Sequence, residues 1–343
     1  MLGGLKQVLL VLATGCMAVF AWADPVWPVP GGIPASFDDV SEIVQPTASG
    51  EVESALFGCV RTNGRRFHEG IDLAPMLPRK RGEATDPVTA LHDGIVRHIS
   101  NVSGNSSYGR YVVLEHTGLD LVIYSLYSHL ASVDSSLAVG QAVRAGSVLG
   151  IMGRSAGGYT IPRERAHLHL EIGLRLSDRF GDWYRQQSFE TPNKHGNFNG
   201  MNLTGWDPMD YFRSYASGEV SSPLDYISSI PPAVMLHVRT RRIPDFVNRY
   251  PELVLDGCEP ADQEGWEVIL SGWGLPVSIK PLSGGSLRGV PGEGDISVIG
   301  MDRQELDTYG CRRLVSERSG KVTLGTEGKR VLELLFMPSP GAS

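Results

Sequence analysis

The sequence predicts a mainly β protein: a compact antiparallel β-sheet domain, a short helical insertion, and a second β-rich module. Three observations predict it. Short alternating apolar and polar runs follow one another between Gly, Asn and Ser turns, which is the pattern of strands with one face buried. The 41 Gly and 22 Pro show no three-residue period, so they punctuate turns rather than build collagen or a helical bundle. At 343 residues, 41% hydrophobic and 20% charged, the chain can fill two cores and is no disordered polyelectrolyte. With 31 Lys and Arg against 38 Asp and Glu, the net charge is −7, so no global basic field exists to hold nucleic acid.

Residues 1–23 read as a secretory signal peptide. A lone Lys6 precedes an apolar run from Val8 to Phe20, and Ala21-Trp22-Ala23 forms a small-x-small cleavage site before Asp24. That run is shorter than the roughly 20 residues of a membrane span. Cys16 follows Ala13-Thr14-Gly15, a poor lipobox because Leu is expected where Ala13 stands, so no lipid anchor is expected there. The expectation is an exported chain, periplasmic or secreted, with no stable membrane insertion once the signal is cut.

Residues 24–50 are rich in Pro, Gly and Ser and predict an extended lead-in. Residues 51–175 form the first β domain, with strands expected at 94–99, 111–116 and 121–127. Residues 176–230 are partly helical: Asp207 is an N-cap, Pro208 takes the first helical position, and the helix runs to about Ala216. Residues 231–343 return to alternation, with strands expected at 268–270 and 331–336. Past the signal three cysteines remain, and the sequence neighbours Cys258 and Cys311 are the expected disulfide pair.

Seven of the nine histidines fall between His68 and His169. Histidine is the commonest metal ligand and the usual acid–base group near neutrality, but clustering alone is weak and spacing decides. In His68-Glu69-Gly70-Ile71-Asp72, Gly70 and the following Pro75 disfavour a helix. In an extended segment His68 and Asp72 share parity, with a bare Gly70 between them leaving room for an ion. Alone, that stretch reads more readily as an exposed His and a turn Asp than as a site. In His167-Leu168-His169-Leu170-Glu171-Ile172 the alternation is strict, so His167, His169 and Glu171 face one way while the apolar residues face the core. Residues two apart on a strand lie about 7 Å apart and a zinc–nitrogen bond is about 2 Å, so one imidazole can ligate while its neighbour sits one water away. Tyr127-Ser128-His129-Leu130 ends a strongly apolar strand.

Taken in order, these three elements resemble the lysostaphin/LytM-type zinc peptidases, the peptidoglycan-cleaving metalloendopeptidases of bacteria. The intervening stretches are similar too. Asp86-Pro87-Val88-Thr89-Ala90 with Asp93-Gly94-Ile95-Val96 resembles the family's opening hairpin. Residues 108–116 resemble its central strand, and residues 139–146 with 149–153 its late, barrel-sandwich-like hairpin. The resemblance covers roughly residues 50–175 and leaves the C-terminal half without recognisable chemistry. It implies one zinc ion per chain held by His68, Asp72 and His169, with His129 and His167 as the catalytic pair and His167 nearer the base role. It also implies peptidoglycan peptide cross-links as substrate. Two imidazoles and one carboxylate agree with this independently, as a three-ligand site with an open fourth position is that of a catalytic zinc.

Two departures bear on specificity and control. The loop at 154–165 ends in Arg165-Ala166, where the family has Pro, and would border the substrate groove. Cys59 stands shortly before His68 and is expected as a buried small residue, not as a thiolate closing the metal's open position. His92, His98 and His116 are assigned to the surface or to positions behind the site, and His195 and His237 to no function. Three rivals remain at this stage. A non-catalytic activator of another cell-wall hydrolase would lack zinc ligands, and none is missing. A biotinyl/lipoyl-type domain needs a lysine at the hairpin tip, where Met152-Gly153-Arg154 offers none. A wall-binding C-terminal region is permitted by Trp266, Trp273 and Tyr309, but core packing is the default reading of such aromatics.

Overall fold

A computed structural model describes residues 24–34 and 36–336 of the chain, so the expected signal segment and Cys16 lie outside the described residues. The alternating runs fold as antiparallel strands: β1 (Gly58–Arg61), β2 (Arg66–His68), β3 (Ile71–Leu73), β4 (Pro87–Thr89), β5 (Gly94–Ser100), β6 (Tyr111–His116), β7 (Ile123–Ser128), β8 (Ser132–Val133), β9 (Ala142–Val143), β10 (Val148–Ile151), β11 (Leu168–Arg175) and β12 (Leu203–Trp206). The main sheet runs β12-β11-β7-β6-β5-β9. β3 shares the outer edge of β11 with β12, pairing Ile71–Leu73 against Leu168–Leu170 while β12 takes Ile172 to Arg175. A smaller sheet joins β4, β10 and β8. The 86–96 stretch is therefore no hairpin, because β4 pairs with β10 while β5 pairs with β6 and β9.

β6 and β7 are buried along their whole length, whereas alternation predicts one solvated face. Val112, Leu114, Ile123 and Tyr127 join the large core on one side. On the other, Tyr111, Val113, Tyr124, Leu126 and Leu203 form a second cluster under Tyr108 and Phe198. The lead-in contributes as well, since buried Trp27 packs edge-on against Phe212 at 4.8 Å. The insertion opens with α1 (Phe180–Gln186) and continues with α2 (Pro208–Ser217). The Asp207 side chain accepts from the N–H groups of Met209 and Asp210, and Gly218 at φ 74 ends the helix in the left-handed region. Its inner face buries Met209, Tyr211, Phe212 and Tyr215 against the sheet; truncating one such aromatic to Ala costs about 3–5 kcal/mol.

The C-terminal module is built on β13 (Val234–Val238), β14 (Gln263–Leu270), β15 (Pro276–Ser283) and β16 (Ile296–Met301), in the order β15-β14-β13-β16. The strand expected at 331–336 is instead the end of a helix, Thr326–Leu335. Gly328, Val331, Leu332 and Leu335 recur at helical spacing and are buried, while Lys329 and Glu333 face out; the run has period 3.6, not 2.

The expected Cys258–Cys311 bridge is also wrong. Cys311 pairs with Cys59, with Cα atoms 5.8 Å apart and a sequence separation of 252, and Cys258 is a free, half-buried thiol. Sequence proximity misled because the 309–312 stretch packs on the β1–β2 hairpin, where the Arg312 guanidinium covers the Phe67 ring at 4.6 Å. The bridge staples the C-terminal module to the first domain, and Cys59 offers no thiolate to a metal. Among the described residues, no helix is long and apolar enough to cross a membrane.

Candidate metal centre

His68 ends β2, Asp72 is central in β3, and His169 stands directly opposite Asp72 in the β3–β11 register and opposite Ser128 of β7. Pairing thus brings together side chains about a hundred residues apart. Gly70 is needed for that pairing and not, as its bareness suggested, to make room for an ion: a Cβ there would stand 2.0 Å from the Leu170 carbonyl oxygen. His68 Nε2 lies 3.0 Å from His169 Nδ1 and 3.1 Å from Asp72 Oδ1, and His169 Nδ1 lies 3.1 Å from Asp72 Oδ1. All three residues are buried.

Their outer hydrogen bonds set what they present inward. His68 Nδ1 donates to the Leu56 carbonyl at 2.7 Å, which turns the Nε2 lone pair into the site. His169 is reversed: Nε2 donates to Glu171 Oε1 at 2.9 Å and Nδ1 points inward. Glu171 is itself fixed by the Tyr108 hydroxyl at 2.6 Å and the Tyr124 hydroxyl at 3.1 Å. Two imidazole nitrogens and a carboxylate oxygen therefore converge on a buried point, where only a positive charge reconciles them. The cluster draws such charge to itself. Arg61 Nη2 reaches to 2.8 Å from His68 Nε2 and 2.5 Å from Asp72 Oδ2. Burial opposes charge on both partners, yet Asp72 and Glu171 hold the His169 imidazolium up to about 9, and the surrounding histidines keep Asp72 well below the usual carboxylate range. The donor triangle also suits zinc, whose bonds of about 2 Å set tetrahedral donors about 3.3 Å apart.

The other two expected residues stand beside this triangle. His129, one residue past β7, adopts φ 61, a left-handed conformation that a non-glycine residue takes at a cost of order 1 kcal/mol. It is pinned there by its N–H to the Tyr108 carbonyl at 3.0 Å and by Nδ1 to the Ser155 carbonyl at 2.8 Å. His167 Nδ1 donates to the Arg165 carbonyl at 2.7 Å, and its Nε2 lies 3.5 Å from Asp72 Oδ2. The two rings meet edge to face at 4.7 Å. Both imidazoles thus keep Nε2 as the unprotonated nitrogen, and burial holds each below the ordinary imidazole range.

Several residues near the site were not assigned roles from sequence. Glu171 was legible only as sharing parity with His169. Tyr124 and Arg61 gave no signal, since their roles depend on register across β7 and β1. His195 lines the cleft and bonds the Tyr111 hydroxyl at 2.6 Å. His92 and His116 are not on the surface: His116 Nε2 meets Ser125 Oγ at 2.7 Å, His92 Nε2 meets the Tyr211 hydroxyl at 3.2 Å, and both rings are buried in the core. His98 is half-buried, stacked at 5.0 Å on Tyr111.

The triangle opens into a cleft of about 820 Å³. Gln45 to Thr47 of the lead-in, Tyr159 to Ile161 and Arg165 of the 154–165 loop, and Arg312, Glu327 and Arg330 of the C-terminal module wall it.

Residues 66–179 match peptidase family M23. No curated protein matches the chain. Among solved structures, the chain is similar to the catalytic domain of lysostaphin from Staphylococcus simulans, at 21% identity over 45% of this chain and 83% of that one, with a TM-score of 0.28. It is similar to a zinc-containing peptidase from Vibrio cholerae, at 22% identity over 43% of this chain and 35% of that one, with a TM-score of 0.24. It is also similar to Csd3 from Helicobacter pylori, at 17% identity over 56% of this chain and 36% of that one, with a TM-score of 0.31. The matched segment, about a third of the chain, contains all five residues of the buried constellation, and it is this segment that is similar to peptidase family M23.

Proposed function

We propose that the chain is an exported zinc endopeptidase that hydrolyses peptide cross-links of bacterial peptidoglycan. The observation that carries this reading is the convergence of His68 Nε2, Asp72 Oδ1 and His169 Nδ1, each within 3.1 Å of the other two, next to two imidazoles whose Nε2 atoms remain basic. In this reading residues 1–23 direct export to the periplasm or the exterior, residues 51–175 carry the chemistry, and residues 231–343 complete one wall of the cleft.

His68, Asp72 and His169 would hold the zinc. Zinc in a three-ligand site supplies an acidified water and Lewis-acid polarisation of a carbonyl. His167, fixed through Nδ1 and next to Asp72, takes the water proton on Nε2 and returns it to the leaving amine. His129 stands beside His167 with Nε2 as its free nitrogen, and only after taking up the proton released in the reaction would it donate to the oxyanion of the tetrahedral species. Glu171 holds the His169 ring in the tautomer that aims Nδ1 inward. Tyr159, Thr160 and Ile161 line the cleft and would position the peptide along it.

The test is digestion of purified cross-linked muropeptides by wild type, His169→Ala and His129→Ala, with zinc content measured on each protein. Wild type cleaves; His169→Ala loses both metal and cleavage; His129→Ala keeps the metal and loses turnover. A wild-type protein that holds no zinc and cleaves no muropeptide would overturn the reading. Equal zinc loss in the two variants would overturn the division of roles.

A further inference from the structure

The chain is acidic overall, yet its cleft is lined by Arg61, Arg66, Arg165, Arg312 and Arg330 against Glu69, Asp72 and Glu327. Three of those arginines are spent inside the protein. Arg61 is bonded to Asp72 at 2.5 Å, and Arg312 and Arg330 both bond Glu327. Arg66 and Arg165 are different. Among the described residues, neither guanidinium has an acidic partner within 4 Å or donates a side-chain hydrogen bond, although the protein carries more Asp and Glu than Lys and Arg.

Their placement is specific. Arg66 shares parity with His68 on β2, two residues before it, and Arg165 precedes His167 by two residues at the entry to β11. Arg66 also stands directly opposite Arg61 in the β1–β2 register, a like-charge pairing that destabilises a hairpin. Folding gains nothing from it. Arg66 and Arg165 line the same cleft as Tyr159, His68, Asp72 and His169. A planar guanidinium with its donors unspent matches a carboxylate in two-pronged fashion.

We propose that Arg66 and Arg165 bind a free carboxylate of the substrate, so that the cleft selects acidic peptides over neutral ones such as polyglycine. The inference rests on the peptidase reading above and names the substrate class for that same site. The closing experiment compares a cross-linked muropeptide dimer bearing free stem carboxylates with the same dimer amidated, using the full zinc-loaded chain. Wild type prefers the free-carboxylate dimer about tenfold in kcat/KM, through KM. Arg66→Gln/Arg165→Gln loses about tenfold on that dimer alone, with kcat retained and the amidated dimer cut as before. A second arm titrates both dimers against chelator-treated wild type and reads binding by calorimetry, with no turnover required. Binding preference without cleavage keeps this inference and sinks the peptidase reading. Equal cleavage of the two dimers by wild type sinks this inference and leaves the peptidase reading standing.

Discussion

Two sheets of the molecule each set a histidine against a glutamate, and only one of them adds further metal-ligating groups beside it. In the main sheet His169 Nε2 meets Glu171 Oε1 at 2.9 Å; in the C-terminal sheet His237 Nε2 meets Glu267 Oε2 at 3.3 Å. Both histidines are buried on a strand. The other ring nitrogen separates them. His237 Nδ1 accepts the Arg288 N–H at 3.0 Å, so the ring is saturated. His169 Nδ1 instead lies 3.0 Å from His68 Nε2 and 3.1 Å from Asp72 Oδ1, an imidazole nitrogen and a carboxylate rather than a backbone N–H. A histidine–carboxylate contact is therefore no mark of a metal centre. What sets His169 apart is a second nitrogen aimed at a carboxylate and another imidazole nitrogen, the arrangement that could hold a metal ion.

The largest expected effect tests that distinction directly. His169→Ala removes one of three donors and is expected to abolish zinc retention and lower turnover by several orders of magnitude, whereas His237→Ala leaves both unchanged. Zinc content by elemental analysis beside muropeptide digestion reads the pair. Comparable zinc loss in His237→Ala would erase the comparison.

Next is the staple between the two regions. Cys59–Cys311 closes a loop of 252 residues, for which the chain-entropy estimate is about 5 kcal/mol and typical losses are about 2–5 kcal/mol. Cys311→Ser is expected to lower the urea midpoint accordingly. It also frees Arg312, which shares a wall of the cleft, so KM rises while the zinc content stays. Cys258→Ser, at the free thiol, changes neither. A drop in midpoint for Cys258→Ser equal to that for Cys311→Ser would contradict the pairing.

A smaller effect sharpens the role of the carboxylates. Glu171→Gln keeps the shape but weakens the hold on His169 Nε2–H, and loss of such an outer partner typically costs about 10–100-fold in metal affinity. Glu267→Gln in the C-terminal sheet costs none. Zinc affinities from chelator competition distinguish the two. Unchanged affinity in Glu171→Gln would assign the orientation of His169 to packing alone.

What was legible in the sequence follows from the range of each interaction. Period-2 alternation at 167–172 is local, and it correctly placed His169 and Glu171 on one side with Leu168 and Leu170 in the core. Asp207-Pro208 is equally local, and its helix begins where those residues require. The candidate ligand set, His68, Asp72 and His169, came from spacing joined to resemblance, and the structure brings these three together. What could not be read depends on register between distant strands. Arg61 reaches Asp72 only because β1 and β2 pair, Tyr124 reaches Glu171 only because β7 lies beside β11, and Cys59 finds Cys311 only because the module folds back. The run at 331–336 failed for another reason: five apolar residues among six do not settle the period within so short a run, and tertiary burial of a helical face decided it.

The smallest effect concerns histidines that resemble His237 rather than His169. His116 has both nitrogens bonded, to the Asp93 carbonyl at 2.9 Å and to Ser125 Oγ at 2.7 Å, and His92 bonds Tyr211 beside it. Burial lowers them to about 4 and about 3 respectively, with the His116 charge also acting on His92. The unfolded chain protonates these rings at about 6.5 while the folded chain does not, so their contribution to stability is intact above that pH. It is lost progressively as the pH falls from about 6.5 toward 4, because protons then favour the unfolded state. His92→Gln keeps a polar partner for Tyr211 and removes one titrating ring. The slope of urea midpoint against pH is therefore expected to flatten between pH 6.5 and 4 by about the binding of one proton, with little change at pH 7.5. An unaltered slope would mean that His92 is protonated in the folded core, and would separate it from the saturated histidines with which its contacts group it.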